Sequence, residues 1–472
     1  MRSSGTSRGG CDGERRMKLR ITNVYRWALV IGLVIRVVLA PITAHPWDTY
    51  VFYDTAQTIL QGRDFYGATA YSYPPGWAGF LAVVGAFYRP LAAAWGAHPI
   101  TSARVDQLIG VPVELGSPQL VDWLFLMLMK TPLIVGDLLV ALLLGRVVGT
   151  RFNQPSKSKL AFSAFFLNPL VIWISSVWGM FDILPTYFAL VGILLFLDKR
   201  NFAAGLAFGV GVGLKYFPVI LVLALLCGLR KGQDRRSVRD LLLGLGSVVA
   251  ALSIPFLLLD APAFLTGVFS PASGVTTGQL SVWSVANLLG VVDLPVLAAA
   301  LNIGVIALAI ALITWAVGAL RSSLEPTFWI DLAIIAILLF FVLFRLVNDQ
   351  YTIWLLPFLT LNVVLARERA WTLIGISGLV LVASWVNVGH YSFFLPMVTA
   401  SPTLAADVPR MWLIPAARIV LAVVFWLFCI VLLRGRLKSV AGKGEISGFL
   451  GARFRALLAF GKRRLHTLIG PR

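Results

Sequence analysis

An all-α, polytopic membrane protein is the fold class that three observations predict. Hydrophobic residues make up 58% of the 472-residue chain and charged residues only 13%, for a mean hydropathy of +0.85. So few charges cannot keep a soluble surface of this size wet, whereas a bilayer solvates apolar surface directly. Apolar runs of roughly 15 to 28 residues recur along the chain, close to the ~20 that a helix needs to cross the hydrocarbon. The net charge of +19 lies between these runs rather than within them, which points to membrane surfaces and not to nucleic acid.

The elements follow in order. Residues 1–21 form a basic tail with six Lys or Arg before the first apolar run. That run carries Arg26 and Arg36 and no A-x-A cleavage site, so it reads as a retained span rather than a signal peptide. About 12 spans are expected, near 22–42, 121–148, 160–177, 183–198, 202–214, 217–229, 241–259, 294–320, 328–346, 351–366, 371–388 and 411–433. Residues 22–433 make one transmembrane domain. Basic clusters mark cytoplasmic loops, and the clusters at 146–159, 198–201, 230–239, 321 and 367–369 fall on one side if residues 43–120 form a single long extracytoplasmic loop. This requires "PPGWAGFLAVVGAFYRPLAAAWG" to lie along the interface as a juxtamembrane helix, which Arg89-Pro90 within it favours. Residues 434–472 form a second basic cytoplasmic tail, with Leu450, Phe454, Leu457, Leu458 and Leu465 at near-helical spacing among Arg and Lys, as in a helix lying on anionic membrane lipids.

Several chemistries are not indicated. Cys11, Cys227 and Cys429 are too scattered for a disulfide framework or thiolate site, and the four histidines form no HExxH pattern, so neither a metal site nor a cofactor is expected. The glycine run at 205–213 lies in an apolar span with no strand before it, and small residues there permit close helix packing rather than phosphate binding.

Nearly every sharp polar feature falls on the outer face. In "HPWDTYVFYDTAQ", Asp48 and Asp54 are six residues apart and do not share a face of one helix, which argues against a paired-carboxylate clamp. Two readings of Asp48 stand: a helix N-cap, or a carboxylate turned into a cavity roof, with His45 close enough to assist. Asp54 is expected to hold the loop. Lys130 and Asp137, seven apart on one helix, are expected to pair with neighbours inside the bundle.

The stretch "DTYVFYDTAQTILQGRDFYGATAYSYPPGWAGFL" resembles the first extracytoplasmic loop of GT-C glycosyltransferases, specifically the PIG-M type mannosyltransferases and their prokaryotic relatives. "LMKTPLIVGDLLVALLL", "NPLVIWISSVWGMFDILP" with "GLKYFP", and "RLVNDQYTIWLLPFL" resemble later motifs of that family in the same order, so that the similarity covers roughly residues 25 to 365. The family has an Asp-x-Asp near the loop start, where this chain reads Pro46-Trp47-Asp48. Only the second acid is kept, which leaves Asp48 as the catalytic residue that the resemblance implies.

The resemblance implies transfer of a hexose, mannose in that family, from a polyprenyl-phosphate donor to an extracytoplasmic glycolipid or glycan acceptor with inversion. Asp48 is then the general base. Lys215 and Arg345 stand at the family's basic positions and face the leaving phosphate; snorkelling to lipid headgroups is the other reading for each. Asp182 orients the acceptor or Lys215, Gln350 meets sugar hydroxyls, and Tyr351 and Trp178 stack on sugar faces, with a place at the bilayer interface the other reading for Trp178. A small membrane partner subunit is compatible with this class. The membrane would be the cell membrane, or the endoplasmic reticulum in a eukaryote. The competing classes are a secondary transporter or lipid flippase, for which internal repeats are expected and none is found, and a noncatalytic partner of a glycosyltransferase.

Overall fold

The computed structural model describes residues 25–96, 122–228, 235–273, 278–289, 310–311, 326–388 and 416–440. The expected span at 294–320 lies outside the described residues except for 310–311, as do the N-terminal basic tail and residues 441–472 of the C-terminal one; residues 434–440 continue the last described helix. Within the described residues, every regular element is helical. Six helices are long and apolar enough to cross a membrane, or seven if one bent pair counts as a single span. That criterion does not reach the expected twelve, because several expected spans form shorter helices.

The first helix, α1 (25–39), leads through a turn into α2 (Pro46–Leu60), α3 (Phe65–Ala68) and α4 (Pro75–Trp95). By length and hydropathy α4 qualifies as a span. Its middle packs on α2, where a Cβ on Gly85 would sit 3.2 Å from Ala56 Cβ, and its two ends lie against ends of other helices. At its start Gly76 lies so close to the end of the 201–214 helix that a Cβ would sit 2.6 Å from Gly213 O. At its end, Tyr88 hydrogen-bonds Asp122 and Trp95 stacks on Trp123 at 5.8 Å. Those partners open α5 (Trp123–Thr150), whose N-cap is Asp122. Pro90 sits within α4.

The next expected span is broken: α6 (Pro155–Phe166) and the segment Pro169–Trp178 meet at 46°. Asn168 at the break caps α7 (Pro169–Ile172), its Oδ1 accepting from Leu170 N at 2.9 Å. A π-helical turn, Trp173–Trp178, follows and ends on Gly179 at φ 92°. Only glycine suits that backbone, and a Cβ there would also lie 3.0 Å from Lys130 Cε.

A short pair, α8 (Ile183–Leu197) and α9 (Asn201–Leu214), leads to α10 (Pro218–Gly228) and the long α11 (Arg235–Ser273), interrupted at Asp260. The glycine run does what its composition suggests. A Cβ on Gly205 would sit 2.1 Å from Leu241 O, and one on Gly244 2.2 Å from Phe202 O, so α9 and α11 cross backbone against backbone.

After α12 (Val282–Leu288), α13 (Pro326–Leu343) is buried on all sides from Phe328 to Phe341, as expected for a helix apolar all round. A 3-10 turn, Asp349–Trp354, leads to α14 (Leu356–Val364) and α15 (Ala370–Val388). The last described helix is α16 (Ala416–Val440).

Charge inside this bundle is paired. Arg36 on α1 meets Asp137 on α5 at 2.8 Å, and Ser175 donates to the same carboxylate at 2.6 Å. Lys130 and Asp137 therefore do not meet each other, and each finds neighbours in the bundle. Asp331 on α13 binds Arg436 of α16 at 3.3 Å and also Arg367, while Arg436 bonds Glu368. This network fastens the last helix to the α13–α15 region.

Candidate active site

His45 occupies the N-cap position of α2, and Asp48 lies in its first turn. The capping reading of Asp48 is thereby corrected, because its carboxylate is engaged across the fold. Trp178 Nε1 donates to Asp48 Oδ2 at 2.7 Å, and His45 Nδ1 lies 2.9 Å from the same oxygen. His45 Nδ1 is also 3.3 Å from Asp48 N. One nitrogen cannot accept from that amide and donate to the carboxylate at once. The shorter contact, to a charged oxygen, assigns the proton to Nδ1. Both donors meet Oδ2, and Oδ1 has no protein donor among the described residues. Burial works to raise the pKa of Asp48, but the charge and hydrogen bond of His45, the Trp178 indole and the charge of Lys215 together hold it below the ordinary carboxylate value.

Lys215 is joined to Asp48 through shared aromatic neighbours. It follows the end of α9, and its Nζ lies 2.8 Å from Asp182 Oδ2. Trp354 Nε1 donates to Asp182 Oδ1 at 2.9 Å, so both carboxylate oxygens are used. The ammonium also lies 5.2 Å from the ring centres of Tyr73 and Phe181 and 4.9 Å from that of Tyr351, within cation–π range. Tyr351 stacks on Trp354 at 4.3 Å, and Trp354 on Phe217 at 4.3 Å. The groups around Asp48 and Lys215 are joined through Phe52 of α2, which lies 5.9 Å from Phe181 and 6.3 Å from Tyr73.

The structure thus brings together His45, Asp48, Asp182, Lys215 and Tyr351. Asp182 is ion-paired to Lys215. Trp178 is buried and turns its N–H to Asp48. Gln350 is buried beside Tyr351, and its Oε1 has no hydrogen-bond partner among the described residues. Arg345 is buried just beyond α13, its carbonyl accepting from Gly278 N at 2.8 Å. Asp54 stands apart. Partial burial raises its carboxyl more than nearby Arg63 lowers it. Sequence reasoning gave no role to Tyr73, Phe181 or Trp354. The last is the tryptophan of the Gln-Tyr-x-x-Trp motif, and the motif was the available signal. Among the described residues no three His, Cys, Asp or Glu side chains converge as a metal site.

An aromatic-walled cation beside a carboxylate with one open oxygen suits handling of a phosphate-linked substrate. Residues 71–343 match the model of glycosyltransferase family 87. The chain belongs to that family. The match to family 87 spans Lys130, Asp182 and Lys215, whereas Asp48 precedes it and Tyr351 follows it. A comparison with curated proteins returns no match. Among solved structures, ArnT from Cupriavidus metallidurans bound to undecaprenyl phosphate aligns at a TM-score of 0.45 and 16% identity, over 90% of this chain and 78% of that one. Membership of family 87 agrees with the glycosyltransferase reading of the motifs and tells against a transporter or flippase.

Proposed function

We propose that this integral membrane glycosyltransferase moves a hexose, mannose by the motif resemblance, from a polyprenyl-phosphate donor to a hydroxyl of an extracytoplasmic glycolipid or glycan. The observation that carries the reading is the placing of a caged Lys215, ion-paired to Asp182, in one aromatic-linked cluster with a carboxylate, Asp48, whose Oδ1 is left open. Lys215 Nζ has three donors and uses one on Asp182, so two are available to phosphate oxygens. Arg345 supplies a second cation to the same phosphate.

The step balances without a further reactant. Asp48 Oδ1 takes the proton of the acceptor hydroxyl, whose oxygen attacks the anomeric carbon from the face opposite the phosphate. The bond from that carbon to the phosphate oxygen breaks, its electron pair leaves with the polyprenyl phosphate, and the configuration inverts. General-base help of this kind contributes about 10²- to 10⁴-fold. His45 and Trp178 keep the carboxylate ionised and aimed. Lys215 meets charge that grows on the leaving group. Gln350 and Tyr351, beside Lys215, bind the sugar.

Purified protein in detergent, given radiolabelled polyprenyl-phosphate mannose and a lipid extract as acceptor, is expected to produce a labelled glycolipid. No transfer from this donor, with transfer from another polyprenyl-phosphate sugar, would remove mannose. Failure with every such donor would remove the donor class.

A further inference from the structure

Lys130 lies wholly buried on α5, away from the groups assigned to substrate. Its Nζ lies within hydrogen-bond distance of four carbonyls, Ala40 O at 3.0 Å, Ser176 O at 2.9 Å, Val177 O at 3.1 Å and Thr43 O, which its three N–H groups share. Two of these carbonyls come from the turn that ends α1, and two from the π-helical turn before Gly179. Chain ends of this kind leave carbonyls without helical partners, and a buried ammonium needs acceptors as much as they need donors. The same two segments carry the base and its indole partner. His45 and Asp48 begin two residues after Thr43, and Trp178 directly follows Val177. They also touch each other: Thr43 Oγ1 donates to Ser176 O at 3.3 Å, and His45 N to Trp178 O at 3.4 Å. Gly179 gives the lysine room to pass.

We infer that Lys130 is a positioning residue for glycosyl transfer, clasping the end of the first span to the π-helical turn so that Trp178 and His45 hold Asp48 in register. The inference rests on Asp48 being the base. A snapped clasp leaves donor contacts at Lys215 intact and lets the carboxylate drift, and a misplacement of about 1 Å can cost ~100-fold in rate.

Two measurements on the full chain in detergent test this. Amide hydrogen exchange reads the clasp itself, whatever the reaction. In Lys130→Met, exchange should speed up together at 43–49 and 176–180 and stay parental in α13. Transfer from polyprenyl-phosphate mannose reads the consequence. Here kcat should fall roughly 10- to 100-fold with KM for the donor within about two-fold of the parent, and Lys130→Arg should recover part of the loss. If Lys130→Met does not accumulate, Lys130→Gln, which reaches fewer carbonyls, replaces it. Parental exchange in either segment, parental kcat, or a rise in KM alone would overturn the role. Should Asp48→Asn keep parental turnover, the base assignment falls while the exchange data still decide the clasp. Should Asp48→Asn be slow, adding Lys130→Met must cost little more, because nothing remains to be positioned; fully multiplicative losses would sink the inference.

Discussion

Trp354 donates its indole N–H to Asp182 at 2.9 Å, across 172 residues of sequence, and so holds the carboxylate that holds Lys215. Asp182→Asn leaves that ammonium buried without its counter-charge and is expected to destabilise the protein by about 3–5 kcal/mol. Adding Lys215→Met should restore most of the stability and none of the donor use. Thermal unfolding and donor titration of the three variants separate the two effects. Donor use that returned with the double substitution would show that Lys215 serves the fold and not the phosphate.

The two carboxylates of α2 should differ sharply. Asp48→Asn keeps size and removes the base, so turnover should fall by about two to four orders of magnitude with folding and donor affinity retained. Asp54→Asn should change turnover by only a few-fold. The opposite ranking, in proteins of equal stability, would mean that the base is the other carboxylate.

The pH dependence follows from the direction of the Asp48 shift. A carboxylate held below its ordinary value stays ionised through the neutral range, and the base is lost only as the pH falls through that depressed value. The acid limb of kcat/KM should therefore lie below about 3.9, the unperturbed value for Asp. Trp178→Phe removes one of the lowering hydrogen bonds, so the limb should move up while activity at neutral pH changes less. A limb that stays in place would detach Trp178 from the ionisation of the base.

Topology can be read with an impermeant thiol reagent after Cys11 and Cys227 are replaced by Ser. Ala70→Cys, exposed in the first loop, should react from outside intact cells, and Ser156→Cys, exposed at the start of α6, should not. Labelling of Ser156→Cys from outside would invert the assignment of faces.

Much of this fold was legible because burial in lipid leaves a compositional trace. The Gly205 crossing, the pairing of Asp137 and the grouping of polar motifs could all be read from the residues. What could not be read depends on backbone geometry. Nothing in "PLVIWISSVWG" announces a π-helical turn, so Trp178 reads as a sugar platform or an interfacial ring rather than a donor to Asp48. His45 took the N-cap position because Pro46 starts the helix two residues before Asp48. The aromatic cage escaped for another reason: Tyr73, Phe181 and Tyr351 lie in three separate segments, and no spacing rule links them.

The pairing of Arg36 with Asp137 bears on how the chain is made. A guanidinium buried in the last turn of α1 (25–39) is costly in lipid without a partner, and its partner is 101 residues further along. Stable residence of α1 in lipid therefore depends on α5, which the chain reaches only after the whole first loop has been made.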